Sequence, residues 1–272
     1  IWDDHEIANN SYKDGAQNHQ QDEGDYQKRK AAARQAYYEW LPVRSSEELY
    51  RKFDYGNLVD LIMLDERLAG RTAPPDSVLD PAITTSKMLG DEQLNWFLNH
   101  LKISNAQWKI IGNQVIFSYL NWGHETFNIN LDSWDGYPAE RDSIKSLIVE
   151  DSISNVIFVT GDTHSSWAFE VTDILDLNYK PFAIEFGTTS INSGNSNERF
   201  PTDSVILHEK RITNSAINPH LKYTNLRDHG YLNLTLTPDQ ATATWNYVDL
   251  KKANAEITTY SINTKSNNNK LD

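Results

Sequence analysis

The sequence predicts an α/β fold, in which a mixed β-sheet or a pair of sheets carries helices on its outside. Two observations lead to this prediction. The first half of the chain alternates helical patterns with short apolar runs, and the second half carries β-branched or alternating runs separated by turns. The chain has 272 residues, of which 39% are hydrophobic, so it is long enough to bury a sizeable core.

The first half contains three predicted helices and two predicted strands. Residues 26–40 and 89–104 repeat apolar side chains at the three- to four-residue spacing of a one-faced helix. Residues 137–153 are also typical of a helix. The short apolar runs at 57–68 and 106–117 indicate strands, and the first of these is expected to be buried on both faces.

From residue 155 onwards the chain is predicted to consist mainly of strands. The stretch at 155–171 opens with an apolar strand, and four later runs combine β-branched residues with turn signals. The final stretch, KSNNNKLD, is polar and is expected to fray. The four later runs are PFAIEFGTTSINSG (181–194), HGYLNLTLTP (229–238), ATATWNYVDL (241–250) and AEITTYSINT (255–264).

The composition excludes several classes of protein. A net charge of −13 disfavours stable binding of nucleic acid, whereas an excess of carboxylates suits hard metal ions. Because the chain has no cysteine, it has no disulfide, no zinc–thiolate site and no cysteine nucleophile. No apolar run approaches the roughly 20 residues of a transmembrane segment, and no signal-peptide pattern is present.

The motif GDTH at 161–164 carries the clearest chemical signal. It follows an apolar strand, and ligands of open α/β sheets bind at this end of the strands. Gly161 permits a sharp turn, so that Asp162 and His164 can point into one pocket, and a carboxylate with an imidazole suits transition-metal ions. The alternative is an ordinary strand-end turn, in which Asp162 caps the turn and His164 lies on the surface.

The motif WDDHE at 2–6 has a similar arrangement, which we interpret as the end of a strand followed by polar side chains. Asp3, Asp4, His5 and Glu6 would be costly there unless they are exposed or hold a ligand. Taken alone, the motif is therefore consistent with a metal site or with a solvated loop.

Amide and guanidinium groups provide further candidates. Gly112 interrupts an apolar strand and precedes Asn113 and Gln114, whose amide oxygens could ligate a hard cation or form hydrogen bonds in the core. Arg67 or Arg141 could bind substrate phosphate through two parallel hydrogen bonds. For Arg141, an ordinary ion pair with a carboxylate is the simpler interpretation.

Together, these motifs resemble the PhoD-like alkaline phosphatase/phosphodiesterase family of the calcineurin-like metallophosphoesterase superfamily. The resemblance reaches about residue 250, and WDDHE and GDTH are its most specific parts. It implies a metallophosphoesterase domain at 1–253, with a C-terminal strand and polar tail at 254–272. The blocks that carry it are IWDDHEIANN, GAQNH, AYYEWLPVR, FDYGNLVDLIMLDER, LGDEQLNWFL, WKIIGNQV, WDGYPAER, VIFVTGDTHSSWAFE, EFGTTSINS and HGYLNLTLTP.

The resemblance implies two facing mixed β-sheets flanked by helices, an αββα sandwich, with a site of two or more metal ions at the strand ends. In that arrangement Asp4 and Asp162 would bind the second metal ion, His164 would bind the first, and His5 would be the catalytic acid. A position that is histidine in many relatives corresponds to Asn113 or Gln114, and we assign Asn113 as the ligand. The implied ions are Ca²⁺ and Fe³⁺, with Zn²⁺, Mn²⁺ or Mg²⁺ as alternatives.

The implied activity is hydrolysis of a small phosphate ester by a metal-bound hydroxide, in a protein that is secreted or periplasmic. Relatives carry further sequence ahead of the IWDDHE motif, which supplies the first strands of one sheet and an aspartate that bridges two metal ions. We therefore expect these N-terminal strands to be absent from the fold and this chain alone to be incomplete and inactive. The missing segment would either dock on the domain as a cleaved piece or simply lie outside this sequence. The alternative function is a non-catalytic binding domain that retains the fold.

Overall fold

A computed structural model of the chain describes residues 1–44, 46, 49–124 and 129–272. Within these residues, ten strands form two β-sheets. The strands are β1 (Arg51–Tyr55), β2 (Val59–Met63), β3 (Trp108–Gly112), β4 (Val156–Thr160), β5 (Ser166–Val171), β6 (Ala183–Gly187), β7 (Leu221–Asn225), β8 (His229–Leu236), β9 (Gln240–Val248) and β10 (Thr258–Lys265).

The larger sheet contains seven strands in the order β1-β2-β3-β4-β6-β5-β7. The central strands β2, β3, β4 and β6 run parallel to one another, whereas β1, β5 and β7 pair in the antiparallel sense. The carboxyl ends of the parallel strands therefore meet at one edge of the sheet, where ligands bind in open α/β folds. β4 ends at Thr160, directly before the GDTH motif, as the sequence predicts.

The smaller sheet is antiparallel, with the strand order β10-β9-β8. It faces the larger sheet, because buried side chains from both form one cluster between them. Trp108 and Phe186 of the larger sheet meet Trp245 and Ile262 of the smaller sheet there. The predicted pair of facing sheets is confirmed, and the sequence boundary suggested at residue 253 falls in the turn between β9 and β10.

Helices flank the pair of sheets. On the outer face of the larger sheet, Phe97 and Ile144 from two helices pack with Ile111 and Phe158 in a second buried cluster. Among the described residues, no helix is long and apolar enough to cross a membrane. The helices are α1 (Tyr26–Trp40), α2 (Gly90–Ile103), α3 (Pro138–Glu150), α4 (Ser196–Arg199) and α5 (Thr202–Ile212), and short 3₁₀ turns cover Gln21–Glu23, Pro81–Thr84 and Trp134–Gly136.

A side chain from α3 fixes the start of α2. Glu140 accepts hydrogen bonds from the backbone N–H groups of Met88, Leu89 and Gly90, at distances of 2.9, 2.7 and 3.1 Å. The first N–H groups of a helix lack partners inside it, so this carboxylate completes them. The backbone of Gly70 packs against the same point, because a Cβ there would lie 2.0 Å from the Leu89 carbonyl oxygen.

The helices predicted at 26–40, 89–104 and 137–153 are confirmed as α1, α2 and α3, and the two apolar runs of the first half contain β2 and β3. Three expectations were wrong. Residues 1–10, all of them described, form bends and turns, so the strand expected at Ile1–Trp2 is not formed. Antiparallel β1 ahead of β2, and helices α4 and α5, were not predicted.

The third error concerns the polar tail, which is anchored instead of frayed. The backbone N–H of Leu271 donates to Glu170 Oε1 at 2.9 Å, and Lys270 Nζ donates to Glu170 Oε2 at 3.0 Å. Glu170 is buried in β5, so the tail supplies partners for a carboxylate that would otherwise be costly to bury.

Candidate metal centre

The GDTH turn places two polar side chains at the end of β4. Asp162 (φ 65°) and His164 (φ 52°) both adopt left-handed backbone conformations, which are uncommon for residues other than glycine. A hydrogen bond to the segment that follows β3 holds the start of the turn, because the Gly161 N–H donates to the Gln114 carbonyl oxygen at 3.0 Å. Non-glycine residues held in such conformations cluster at functional sites, so this turn is a candidate for one.

The WDDHE motif reaches the same edge of the sheet as a tight turn anchored by Trp2. The indole of Trp2 is buried and its Nε1 donates to Asp65 Oδ1 at 3.1 Å. The carbonyl oxygen of Asp4 accepts from the N–H groups of Ile7 and Ala8, both at 2.9 Å. Because the backbone turns here instead of continuing as a strand, neighbouring side chains need not point to opposite faces.

Three carboxylates converge where the two motifs meet. Asp3, Asp4 and Asp162 each present an oxygen, and these atoms lie within 4.8 Å of one another. Within the described residues, this is the one group of three or more acidic, histidine or cysteine side chains with such geometry. Asp4 and Asp162 were predicted as ligands, whereas Asp3 was in the motif but was not chosen.

Arg67 lies beside this cluster and is fully buried. Its Nε donates to Asp3 Oδ1 at 2.8 Å, one terminal nitrogen to Asp132 Oδ2 at 2.8 Å, and the other to Asp162 Oδ1 at 2.9 Å. The side chain expected to bind substrate phosphate therefore has all three of these nitrogens engaged with carboxylates. Arg71 binds the other oxygen of Asp132, so the two arginines share that carboxylate.

The protonation behaviour of these carboxyls follows from burial and from the arginines. Burial raises the pKa of Asp162 and the pKa of Asp3, and the Arg67 guanidinium opposes both rises. Burial also acts on Asp132, but Arg71 and Arg67 together hold the pKa of Asp132 below its ordinary value. The Arg67 guanidinium therefore offsets only part of the cost of burying the negative charges on Asp3 and Asp162. A bound cation would offset more of that cost.

His5 lies at the exposed rim of the cluster, with its side chain 75% exposed. Its Nε2 is 2.9 Å from Asn9 Oδ1 and 3.6 Å from Asp4 Oδ2. The hydrogen bond to Asn9 raises the pKa of His5, and nearby aspartates including Asp4 add to this effect against partial burial. The imidazole is therefore positioned to hold a proton next to the carboxylates.

His164 is oriented by the loop that follows β6. Its Nδ1 lies 3.1 Å from the Gly194 carbonyl oxygen, so the Nδ1–H donates there and Nε2 is the nitrogen left for a ligand. Metal-binding histidines commonly donate their second ring N–H to a carbonyl in this way.

Asn113 is not brought into the cluster. Its Oδ1 accepts from Trp134 Nε1 at 3.1 Å, and its amide nitrogen donates to Val115 O and to Thr160 Oγ1. The residue is buried in the core, where these partners satisfy the amide. The sequence left open whether the Asn113 amide ligates a cation or forms hydrogen bonds in the core, and the structure supports the hydrogen bonds in the core.

A polar cleft lies beside the loop that follows β6. Thr189 Oγ1 lies 3.4 Å from the His164 carbonyl oxygen and donates to the Asp228 carbonyl oxygen at 2.8 Å. Asp228, His229 and Glu198 line the cleft, and His229 Nε2 is 2.7 Å from Glu198 Oε1. Asp3, Asp4 and Asp162 do not line this cleft, so it is separate from the carboxylate cluster.

Comparisons with known proteins identify the family and the fold. A family model described as PhoD-like phosphatase matches residues 1–245. Alkaline phosphatase D of Bacillus subtilis (strain 168) is 37% identical over 259 residues, which are 88% of this chain and 42% of that protein. A solved structure described as "Structure of PhoD" has a TM-score of 0.86 and 31% identity, and the match covers 100% of this chain and 53% of that one.

This chain therefore spans about half the length of these relatives. The family model nevertheless covers most of it, and both WDDHE and GDTH fall inside the match. The resemblance inferred from WDDHE and GDTH is confirmed: the chain belongs to the PhoD-like phosphatase family.

Proposed function

We propose that the chain carries part or all of a metal-dependent site that hydrolyses small phosphate esters, as an alkaline phosphatase or phosphodiesterase. The observation that supports this proposal is the meeting of Asp3, Asp4 and Asp162 at the carboxyl edge of the parallel strands. The relatives that match over most of this chain include a protein described as an alkaline phosphatase.

The donor set fits hard or borderline cations. Carboxylate oxygens suit Ca²⁺ and Fe³⁺, and an imidazole whose other nitrogen is already hydrogen-bonded suits a transition metal. We propose Asp4, Asp162 and His164 as ligands, as the family resemblance implies, and we add Asp3. Asn113 is left out because its amide oxygen is occupied by Trp134. Zn²⁺, Mn²⁺ and Mg²⁺ are the alternatives to Ca²⁺ and Fe³⁺.

Each residue has a separate task in this proposal. When bound, the cations would activate the attacking water and neutralise the phosphoryl oxygens. His5, exposed and with a raised pKa, would give its proton to the leaving alkoxide. Arg67 would hold Asp3 and Asp162 in place from within the protein, and a substrate phosphate could reach its guanidinium only by replacing one of these carboxylates.

The test is hydrolysis of p-nitrophenyl phosphate and of its bis-ester with added calcium and iron, before and after treatment with a chelator. We expect turnover that is lost on chelation and restored by metal. Turnover that survives complete removal of metal would refute the proposal. Metal binding without any turnover would instead favour the non-catalytic binding domain. Secretion or a periplasmic location stays a prediction of the family resemblance.

Two variants separate the proposed roles. Asp162→Asn should reduce the metal content of the protein, whereas His5→Ala should leave it nearly intact and slow turnover most for substrates with poor leaving groups. Asp151→Asn is the control, because this exposed aspartate at the end of α3 pairs with Lys102 of α2 and is not part of the carboxylate cluster. Equal loss of metal in Asp162→Asn and His5→Ala would contradict this division of roles.

A further inference from the structure

Gln114 connects the two segments that carry the cluster with the segment that carries Arg67. Its Nε2 donates to the Trp2 carbonyl oxygen at 3.2 Å, and its Oε1 accepts from the Glu66 N–H at 3.2 Å. Its own carbonyl oxygen accepts from the Gly161 N–H at 3.0 Å. The side chain is buried, so these bonds are protected from competition by water.

Each of these contacts falls one residue before Asp3, Asp162 or Arg67. Trp2 precedes Asp3, Glu66 precedes Arg67, and Gly161 precedes Asp162. The three segments are far apart in the chain, and Gln114 is bonded to the backbone of every one of them. A displacement of Gln114 would therefore be transmitted to both aspartates and to the arginine between them.

Gln114 is itself held firmly. Glu66 Oε2 accepts from the N–H groups of Gln114 and Val115, at 2.8 and 2.9 Å, and Trp134 Nε1 donates to Glu66 Oε1 at 3.0 Å. Gln114 and Glu66 thus exchange hydrogen bonds in both directions, since the Glu66 N–H binds the Gln114 side chain. Such reciprocal bonding fixes the rotamer of the glutamine.

We propose that Gln114 is a positioning residue that sets the separation of Asp3, Asp162 and Arg67. The sequence left its amide open as a direct metal ligand, but both polar atoms of its side chain face backbone groups instead of the carboxylates. Its effect on metal affinity and turnover rests on the proposed function, whereas its effect on the three segments does not.

A purely structural glutamine provides the comparison. Gln93 is also buried and also forms two bonds to a backbone, accepting from the Asp65 N–H at 2.7 Å and donating to the Asp65 carbonyl at 2.8 Å. These two bonds reach Asp65, two residues before Arg67, and Gln93 Nε2 also lies 3.5 Å from the Leu89 carbonyl oxygen at the start of its own helix. Gln93→Met and Gln114→Met each remove buried side-chain hydrogen bonds to a backbone while keeping a side chain of similar length.

The first experiment is hydrogen–deuterium exchange on the metal-free protein. In Gln114→Met, peptides that cover residues 1–10 should exchange about fivefold faster, as expected for the loss of one hydrogen bond that ties that segment down. In Gln93→Met these peptides should keep the wild-type rate. Unchanged exchange of residues 1–10 in folded Gln114→Met would overturn the proposal, as would equal acceleration in both variants.

The second experiment measures Mn²⁺ binding by electron paramagnetic resonance, with steady-state kinetics on the bis-ester. Gln114→Met should bind Mn²⁺ about tenfold more weakly and lose about tenfold in kcat with a smaller change in KM, because groups behind the ligands tune affinity on this scale. Gln93→Met should be close to wild type in both. Equal effects in both variants would overturn the positioning role. Wild-type protein that neither binds Mn²⁺ nor turns over would contradict the proposed function, and the exchange data would still decide the positioning role.

Discussion

Replacing Arg67 by methionine is the most direct test of how the carboxylate cluster is stabilised. The substitution keeps an unbranched side chain in a fully buried position but removes the donors to Asp3, Asp132 and Asp162. Two of these carboxylates sit within a few ångströms of Asp4 as well, so the loss of the guanidinium leaves like charges facing one another.

The expected loss of stability can be worked from the separate contacts. Three charge-assisted hydrogen bonds at about 1.5–3 kcal/mol each set an upper limit near 9 kcal/mol. Asp132 keeps Arg71, and Asp3, whose side chain is 33% exposed, can return partly to water. The remaining cost is mainly that of Asp162, whose side chain is 19% exposed and would lose its partner. We therefore expect the free energy of unfolding to fall by about 3–5 kcal/mol.

The assay is urea denaturation at neutral pH in the presence of a chelator. Lys102→Met is the matched control, because it removes an exposed pair with Asp151 and should cost less than about 1 kcal/mol. Calcium should then stabilise Arg67→Met more than wild type, since a bound cation would neutralise the same carboxylates. A loss below about 1 kcal/mol in Arg67→Met would refute the view that the guanidinium is what keeps these carboxylates together.

Two further predictions concern buried groups. Burial lowers the pKa of His220, whose Nε2 donates to the Tyr119 carbonyl oxygen at 2.7 Å, so the neutral imidazole is favoured in the folded state. The stability that neutral His220 contributes is complete above about pH 6.5 and is lost as the pH falls. The free energy of unfolding measured in urea should therefore fall less steeply with decreasing pH in His220→Gln than in wild type. An equally steep fall in both proteins would contradict this prediction. Trp134→Phe removes a donor to buried Glu66 Oε1 and should lower the free energy of unfolding by about 1–3 kcal/mol. Trp245→Phe, which loses one bond to a backbone carbonyl, should cost less in the same assay, and the reverse order would contradict the reasoning.

The sequence predicted the features that depend on local pattern. Apolar strands and one-faced helices recur at fixed spacings, so β4 and the first three helices were readable. The position of Asp162 and His164 directly after β4 followed from the apolar strand and the glycine that precede them. Helix α5 also had a readable pattern, since Val205, Glu209 and Ile212 form its buried side at helical spacing, but the turn residues around it concealed the signal.

Other features depended on contacts between distant residues. Interpreting WDDHE as a strand end made the roles of neighbouring aspartates hard to assign, because successive strand residues face opposite ways. The structure forms a turn instead, and Asp3 joins Asp4. The partner of Arg67 at Asp132 lies 65 residues away in a loop, and no local pattern marks it. An arginine that looks suited to phosphate thus proved to be occupied by carboxylates.

The left-handed backbone at Asp162 and His164 has a consequence for how this chain responds to selection. Glycine would adopt these conformations with less strain, and it would also delete the Asp162 carboxylate from the cluster and the His164 imidazole proposed as a ligand. Variants selected only for heat resistance would therefore tend to accumulate glycine in this turn. Variants selected for the proposed hydrolysis of phosphate esters would keep Asp162 and His164. A screen for soluble, heat-resistant protein alone is therefore expected to replace residues of the GDTH motif unless turnover is measured at the same time.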